Sequence, residues 1–383
     1  MSVRRPRVLV VRLPLVRVTL VAAMLAGLLL SRNLWLTARD FPTVPVWDGL
    51  PAVPPDVSRI VFAALLVLLV LSAVLYETRW PVLAVVAVTA GWCLWDQMRW
   101  QPWVYQYLAL FVAVGTARRG DADSGERALA VCRLVAAATY FWSGFQKLNV
   151  GFAAEIFPWV MEPVFRLLPD VPAAWVERFA WGAAGIECAL GVGLLVPRLR
   201  RAAVAGVVGM HATLLFCLGP TGHDWNSVVW PWNVALATLV VLLFAGTRGV
   251  AAADILWPRG SWLGRVALVL FGVMPALNFV GYWDSYLSAC LYSGNTPRAR
   301  ITLGDAAAAA LPHEVREKYT SDGVVDLPGW ALDELNVPPY PARRVFRGIA
   351  SRLGDPADVT LVTLDRPHWR TGERAEIEEV LGP

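Results

Sequence analysis

Residues 57–76 read VSRIVFAALLVLLVLSAVLY, twenty positions that carry one charge, Arg59. A helix of that length rises about 30 Å, the thickness of a bilayer's hydrocarbon core, and this run has no polar face to turn toward water. The stretch predicts a membrane-spanning helix. Working outward from it, comparable runs stand at Leu15–Leu36, Trp80–Met98, Gln101–Thr116, Leu129–Gln146, Ala174–Val196, Ala202–Leu218, Asn226–Ala245 and Trp262–Tyr282, so nine spans are expected. The first run follows Arg4, Arg5 and Arg7 but lacks a small-x-small cleavage site, and it reads as an anchor.

The totals agree. Of 383 residues, 57% are apolar and 17% charged, which excludes disordered, collagenous and disulfide-scaffold classes and argues against an ordinary soluble enzyme. Nineteen Trp residues include several at the ends of apolar runs, such as Trp80, Trp100 and Trp230, where amphipathic rings favour the headgroup level. Five Cys show no CxxC and read as small core residues. A net charge of +4 without a basic stripe gives no reason to expect a nucleic-acid partner.

A cytoplasmic N-terminus puts fifteen basic residues at the inner helix ends against seven outside, a bias that predicts N-in and, with nine spans, C-out. The expected architecture is an all-α polytopic domain over residues 1–282, in the plasma (inner) membrane, followed by an extracytoplasmic tail over 283–383. The tail alternates strand-like Ala299–Leu303, helical Pro328–Asn336 and Ala342–Leu353, and strand-like Val359–Leu364, a small α+β module.

Ionisable groups inside spans are costly, which makes each a candidate site. Glu187 lies ten residues before the turn at Pro197 and His211 ten residues after Arg201, so both sit ~15 Å from that turn and are placed to pair. A purely structural contact between two helices explains such a pair equally well. On the expected outer side, Asp96, Arg99, Gln101 and Tyr105 cluster between spans three and four, and His223 with Asp224 occupies a later turn. Lys147 stands apart. Of 34 basic residues only Lys147 and Lys318 are Lys, and unlike Arg a desolvated Lys can lose its proton and serve as a base, the other reading being a structural Lys that snorkels to the interface.

Several of these residues carry a resemblance. Asp96-Gln97-Met98-Arg99-Trp100-Gln101-Pro102-Trp103-Val104-Tyr105-Gln106-Tyr107 resembles the Asp-Lys-x-x-Trp-Asn-Asn-His-x-Tyr-x-Tyr segment of vitamin K-dependent γ-glutamyl carboxylase, and Tyr140-Phe141-x-x-Gly144-x-x-Lys147-Leu148-Asn149 resembles its Tyr-Phe-x-x-Gly-x-x-Lys-Leu-Asp. Glu187, Met210-His211, Trp230-Pro231-Trp232 and Tyr282-Trp283-Asp284 are similar to further segments in the same order, with a core at about residues 80–282. Bacterial relatives of that superfamily are grouped as HTTM (horizontally transferred transmembrane) proteins. The resemblance implies a helical core binding a lipid quinol, Lys147 as the base that deprotonates it, Glu187 and His211 as a buried catalytic pair, and Asp96, Arg99, Trp103, Tyr105 and Tyr140 around the quinol. Oxygenation of the quinol anion is the implied chemistry. Trp103 replaces the family's His of the carboxylation half-reaction, and a tail of ~100 residues is too short for large substrate-binding domains, so protein carboxylation is not expected.

Two other readings stay open. One is a non-catalytic scaffold or accessory subunit, and the other a DoxX-like quinone-linked subunit needing a membrane redox partner. Four His without HExxH or comparable spacing give no reason to expect a metal.

Overall fold

The computed structural model describes residues 5–168, 171–247 and 249–381, with side-chain surroundings from residue 12 onward. Among the described residues nine apolar helices form the first part: α1 (Arg5–Leu30), α2 (Pro55–Val74), α3 (Trp80–Leu94), α4 (Pro102–Gly115), α5 (Ala122–Gln146), then, after a short helix α6 (Phe157–Phe165), α7 (Ala173–Leu195), α8 (Arg200–Leu218), α9 (Val229–Phe244) and the helical tract Trp262–Val280. Six of them, in α1, α2, α5, α7, α8 and the last tract, are long and apolar enough to cross a membrane. The remaining three, α3, α4 and α9, have 15, 14 and 16 residues. At 1.5 Å per residue these rise only about 21–24 Å, short of a hydrocarbon core.

Large apolar side chains face outward on these helices, among them Ile60 at 68% exposure and Ile186 at 62%. Water would penalise such a surface and lipid would not.

Two glycines set the closest helix contact. A Cβ on Gly144 of α5 would stand 2.5 Å from the Cys188 amide nitrogen of α7, and one on Gly191 of α7 would stand 2.5 Å from the Phe141 amide nitrogen of α5. The antiparallel pair α5/α7 thus packs backbone against backbone, the use that membrane helices make of small residues. That approach brings the C-terminal end of α5 against the middle of α7.

Buried arginines clasp the open ends of other helices. Arg17 donates to the carbonyls of Tyr76 (2.8 Å) and Thr78 (2.9 Å) beyond α2, Arg133 to that of Leu243 in α9 (2.8 Å), and Arg200 to those of Leu194 in α7 (2.7 Å) and Val250 (3.1 Å). The last carbonyls of a helix have no partner within it, and a planar guanidinium with five donors answers several at once where an ammonium cannot. At these three positions Arg does what Lys could not.

The tail forms a five-stranded antiparallel sheet in the order β2-β3-β1-β4-β5, from β1 (Arg298–Leu303), β2 (Thr320–Ser321), β3 (Val324–Val325), β4 (Val359–Leu364) and β5 (Glu376–Glu379). The central register pairs Arg298 with Leu364 and Leu303 with Val359. Helices α11 (Leu327–Leu335) and α12 (Arg343–Ala350) stand where sequence patterning put them, α10 being the first turns of the last apolar tract, Trp262–Ala267. A continuous core joins tail and helices: Phe41 meets Trp330 edge-on at 5.0 Å, and Tyr340 meets Tyr286 at 5.3 Å. Arg344 and Tyr340 both bind Asp284, just beyond the last apolar tract, the Tyr340 hydroxyl at 2.8 Å. Burial pushes the Asp284 carboxyl up, but the Arg344 guanidinium and the Tyr340 hydroxyl outweigh it and hold it below the usual carboxylate range.

Candidate functional site

A cavity of about 350 Å³ lies among α4, α5, α6, α7, α8, α9 and the tract Trp262–Val280, closed on one side by the segment 286–292. Most of its wall is apolar or aromatic, including Trp142, Phe152, Phe157, Met161, Leu214 and Phe271. Such a wall, with a few convergent polar groups, is the usual form of a small-molecule site.

The first polar group is Lys147 with Glu187. Lys147 ends α5, and its Nζ donates to Glu187 Oε2 at 2.6 Å and to Ser143 Oγ at 2.9 Å. Both side chains are nearly enclosed, at 14% and 11% exposure, yet both line the cavity. The pairing of Glu187 with His211, expected from equal depth along the α7/α8 hairpin, is not what forms. The glycine contact between α5 and α7 delivers Lys147 to Glu187 first, and α8 presents His211 to other partners.

Those partners form the second group. Asn233 Nδ2 donates to the Val229 carbonyl at 2.7 Å, which leaves Asn233 Oδ1 to accept from His211 Nδ1 at 2.7 Å. With its proton on Nδ1, His211 offers Nε2 as acceptor to the Tyr140 hydroxyl at 2.9 Å. This tautomer is assigned from the bonding network. Tyr140, His211 and Asn233 all border the cavity. A third group joins Trp232 to Gln106 Oε1 (2.7 Å) and Gln106 Nε2 to Thr139 Oγ1 (2.9 Å).

Tyr105 also lines the space, its ring stacked on Phe271 at 4.8 Å and its hydroxyl without a hydrogen-bond partner among the described residues. Asp96, Arg99 and Trp103 do not line it. The loop after α1 returns over them. Arg39 Nη2 pairs with Asp96 Oδ2 at 2.5 Å, Arg99 donates to the carbonyls of Trp92 (2.7 Å) and Leu34 (3.0 Å), and Trp103 packs edge-on against Trp35 at 6.2 Å. Their surroundings are protein on every side: the exposure of Asp96 and Arg99 is 0%. His223 lies elsewhere too, bonded to the Trp159 carbonyl at 2.6 Å and stacked on that ring.

Sequence reasoning missed the roof. Residues 286–292 close the cavity with Ala289 and Tyr292 in left-handed backbone, at φ 61° and 52°. A buried amide network holds the roof's flanks: Gln146 Nε2 donates to the Pro275 carbonyl (3.1 Å), Asn278 and Asn295 donate to Gln146 Oε1 (3.1 and 2.6 Å), and Asn149 donates to the Ser293 carbonyl (2.9 Å). The available signal was the run Gln146-Lys147-Leu148-Asn149, two amides flanking the lysine at a helix end. Among the described residues no group of three or more His, Cys, Asp or Glu side chains converges to hold a metal ion.

Comparison of the chain with protein-family models, with curated proteins and with solved structures finds no match.

Proposed function

We propose that this chain is a polytopic protein of the plasma membrane, related to the carboxylase-like HTTM superfamily, whose cavity takes a lipophilic hydroxy compound of the lipid quinol class and removes its hydroxyl proton at Lys147–Glu187. The observation that carries the reading is an ion pair bordering open apolar space inside a helical bundle. Charges in such a place are expensive to maintain, and their accessible side is where a ligand group would lie. Tyr105, Phe271 and Trp142 suit an aromatic ring, and the Tyr140–His211–Asn233 chain offers a second polar contact. The quinol anion is the form that dioxygen attacks, so oxygenation is the reaction class we assign.

The proposed topology is nine spans, N-in and C-out. It is supported by the Arg17, Arg133 and Arg200 clasps at the helix ends assigned to the inner side, while the tail meets the opposite ends through Phe41, Asp284 and Tyr286. On this reading the helices of 14–16 residues reach across with flanking Trp80, Trp100 and Trp230 at the headgroup level.

A scaffold role draws on one observation, that Lys147 and Glu187 already tie α5 to α7. The two readings separate by lipid extraction of the purified protein, mass spectrometry and thermal unfolding with added quinol. A bound quinone, stabilisation by quinol, and quinol consumption in proteoliposomes that Lys147→Ala abolishes are the expected results. Unchanged consumption in Lys147→Ala would sink the catalytic reading, and absence of any bound or stabilising quinol would sink the cavity's assignment.

A further inference from the structure

The bonding around the pair distinguishes its two members. Lys147 Nζ commits one N–H to Ser143 and one to Glu187, and an ammonium has no lone pair to offer. Glu187 accepts from Lys147 through Oε2 alone; among the described residues no hydrogen bond reaches Oε1, and Glu187 lines the cavity. The neighbouring titratable side chains are engaged: Tyr140 with His211, His211 with Asn233, and the Cys188 thiol with the Phe141 carbonyl at 3.5 Å. The Nε2 lone pair of His211 already accepts a hydrogen bond from the Tyr140 hydroxyl.

We propose that Glu187 is the proton acceptor of this site and Lys147 the fixed positive charge that holds the product anion; this rests on the reading of the cavity as a site for a lipophilic hydroxy compound. In the step, the ligand's O–H bond breaks, a new O–H bond forms at Glu187 Oε1, and the electron pair stays on the ligand oxygen. The third N–H of Lys147 then donates to that oxygen. One negative charge disappears as another appears beside the same ammonium. An uncompensated charge is therefore never left in the low-dielectric interior, where it would be most costly. A neutral lysine acting as base beside an ionised Glu187 would instead end with two anions sharing one cation. Lys147 also stays tied to Ser143 throughout, so the countercharge is positioned before the anion exists, the arrangement that stabilises developing charge most effectively.

The test uses full-length protein in nanodiscs and, as probe, a para-nitrophenol with a short alkyl tail, whose phenol and phenolate absorb at different wavelengths. Wild-type protein is expected to bind the probe as phenolate, with the infrared carbonyl band of a protonated carboxylic acid appearing on binding. Glu187→Gln is expected to lack that band while Lys147, its countercharge gone, still holds the phenolate, and Lys147→Arg, which keeps the charge and cannot act as base, retains both phenolate and band. Persistence of the band in Glu187→Gln, loss of phenolate or band in Lys147→Arg, or phenolate in wild type without the carboxylic acid band would each overturn the assignment while leaving the cavity's ligand class standing. The infrared measurement needs no variant, so a Glu187→Gln protein that failed to fold would not shield the idea. Absence of any probe binding to wild-type protein would bring down the ligand class and this assignment together.

Discussion

Two clusters of buried charge can be compared directly. Arg39, Asp96 and Arg99 sit where the loop after α1 folds back, and Lys147 with Glu187 sits between α5 and α7. In the first, protein groups take up the charge on every side: Asp96 accepts from Arg39 and from the amides of Val44 and Met98, and the arginines spend their remaining donors on carbonyls. In the second, among the described residues, no hydrogen bond reaches Glu187 Oε1, Lys147 Nζ donates to two acceptors only, and both side chains line a cavity. The first cluster is a fully satisfied network of the kind that fixes a fold, and the second is the incompletely satisfied one to which the proposed function assigns a ligand.

That contrast is open to attack. The largest effect belongs to Asp96→Asn, which leaves two buried guanidinium groups without a countercharge; a loss of about 3–5 kcal/mol is expected, seen as a lower unfolding midpoint in detergent. A near-neutral result would mean that the first cluster is no more structural than the second. Gly144→Leu comes next, since its side chain would collide with α7 backbone; about 1–3 kcal/mol of destabilisation is expected, with Lys147 separated from Glu187 and probe binding lost. If binding survived in a destabilised protein, the α5/α7 contact would not be what assembles the site.

The double replacement Lys147→Met with Glu187→Gln removes the second pair without orphaning a charge. It is expected to cost no more than about 1 kcal/mol while abolishing ligand binding. A cost as large as that of Asp96→Asn would favour the scaffold role. The smallest effect concerns the clasp between tail and roof. Asp284 has a carboxyl held below its ordinary value by Arg344, so the clasp contributes stability above the unfolded-state value of about 3.9 and loses it as pH falls through the lower folded-state value. Because Arg344 is half exposed, the contribution is under about 1 kcal/mol. Protection factors in residues 286–292, corrected for the intrinsic pH dependence of amide exchange, are expected to fall in acid and, at neutral pH, in Arg344→Ala; protection unchanged in both would leave the roof independent of the tail.

The sequence carried the helices and little of their neighbourhood. Each apolar run became a helix because its hydropathy is local information, and Val359–Leu364 became a strand for the same reason. Partnership is not local. Counting depth along the α7/α8 hairpin could not reveal that Gly144 and Gly191 bring a third helix closer. Nor could the cluster around Asp96 be separated from the cavity while the path of the loop at 37–56 was unknown. Lys147 was legible as exceptional from composition, but Asn233 and Gln106 were not, since an amide within an apolar run announces no partner.

The tract Trp262–Val280 runs as α-helix to Ala267, widens to a π-helix over Leu268–Val273 and tightens to 3₁₀ over Met274–Val280. Its irregular stretch hands two carbonyls to α5, that of Gly272 to Trp142 (3.1 Å) and that of Pro275 to Gln146 (3.1 Å). π and 3₁₀ turns differ in rise and in the angle at which they present side chains. Phe271 and Pro275, which both line the cavity, therefore stand on backbone that two side chains of α5 hold from across the bundle. In effect, the gauge of this wall is set from the helix that carries Lys147.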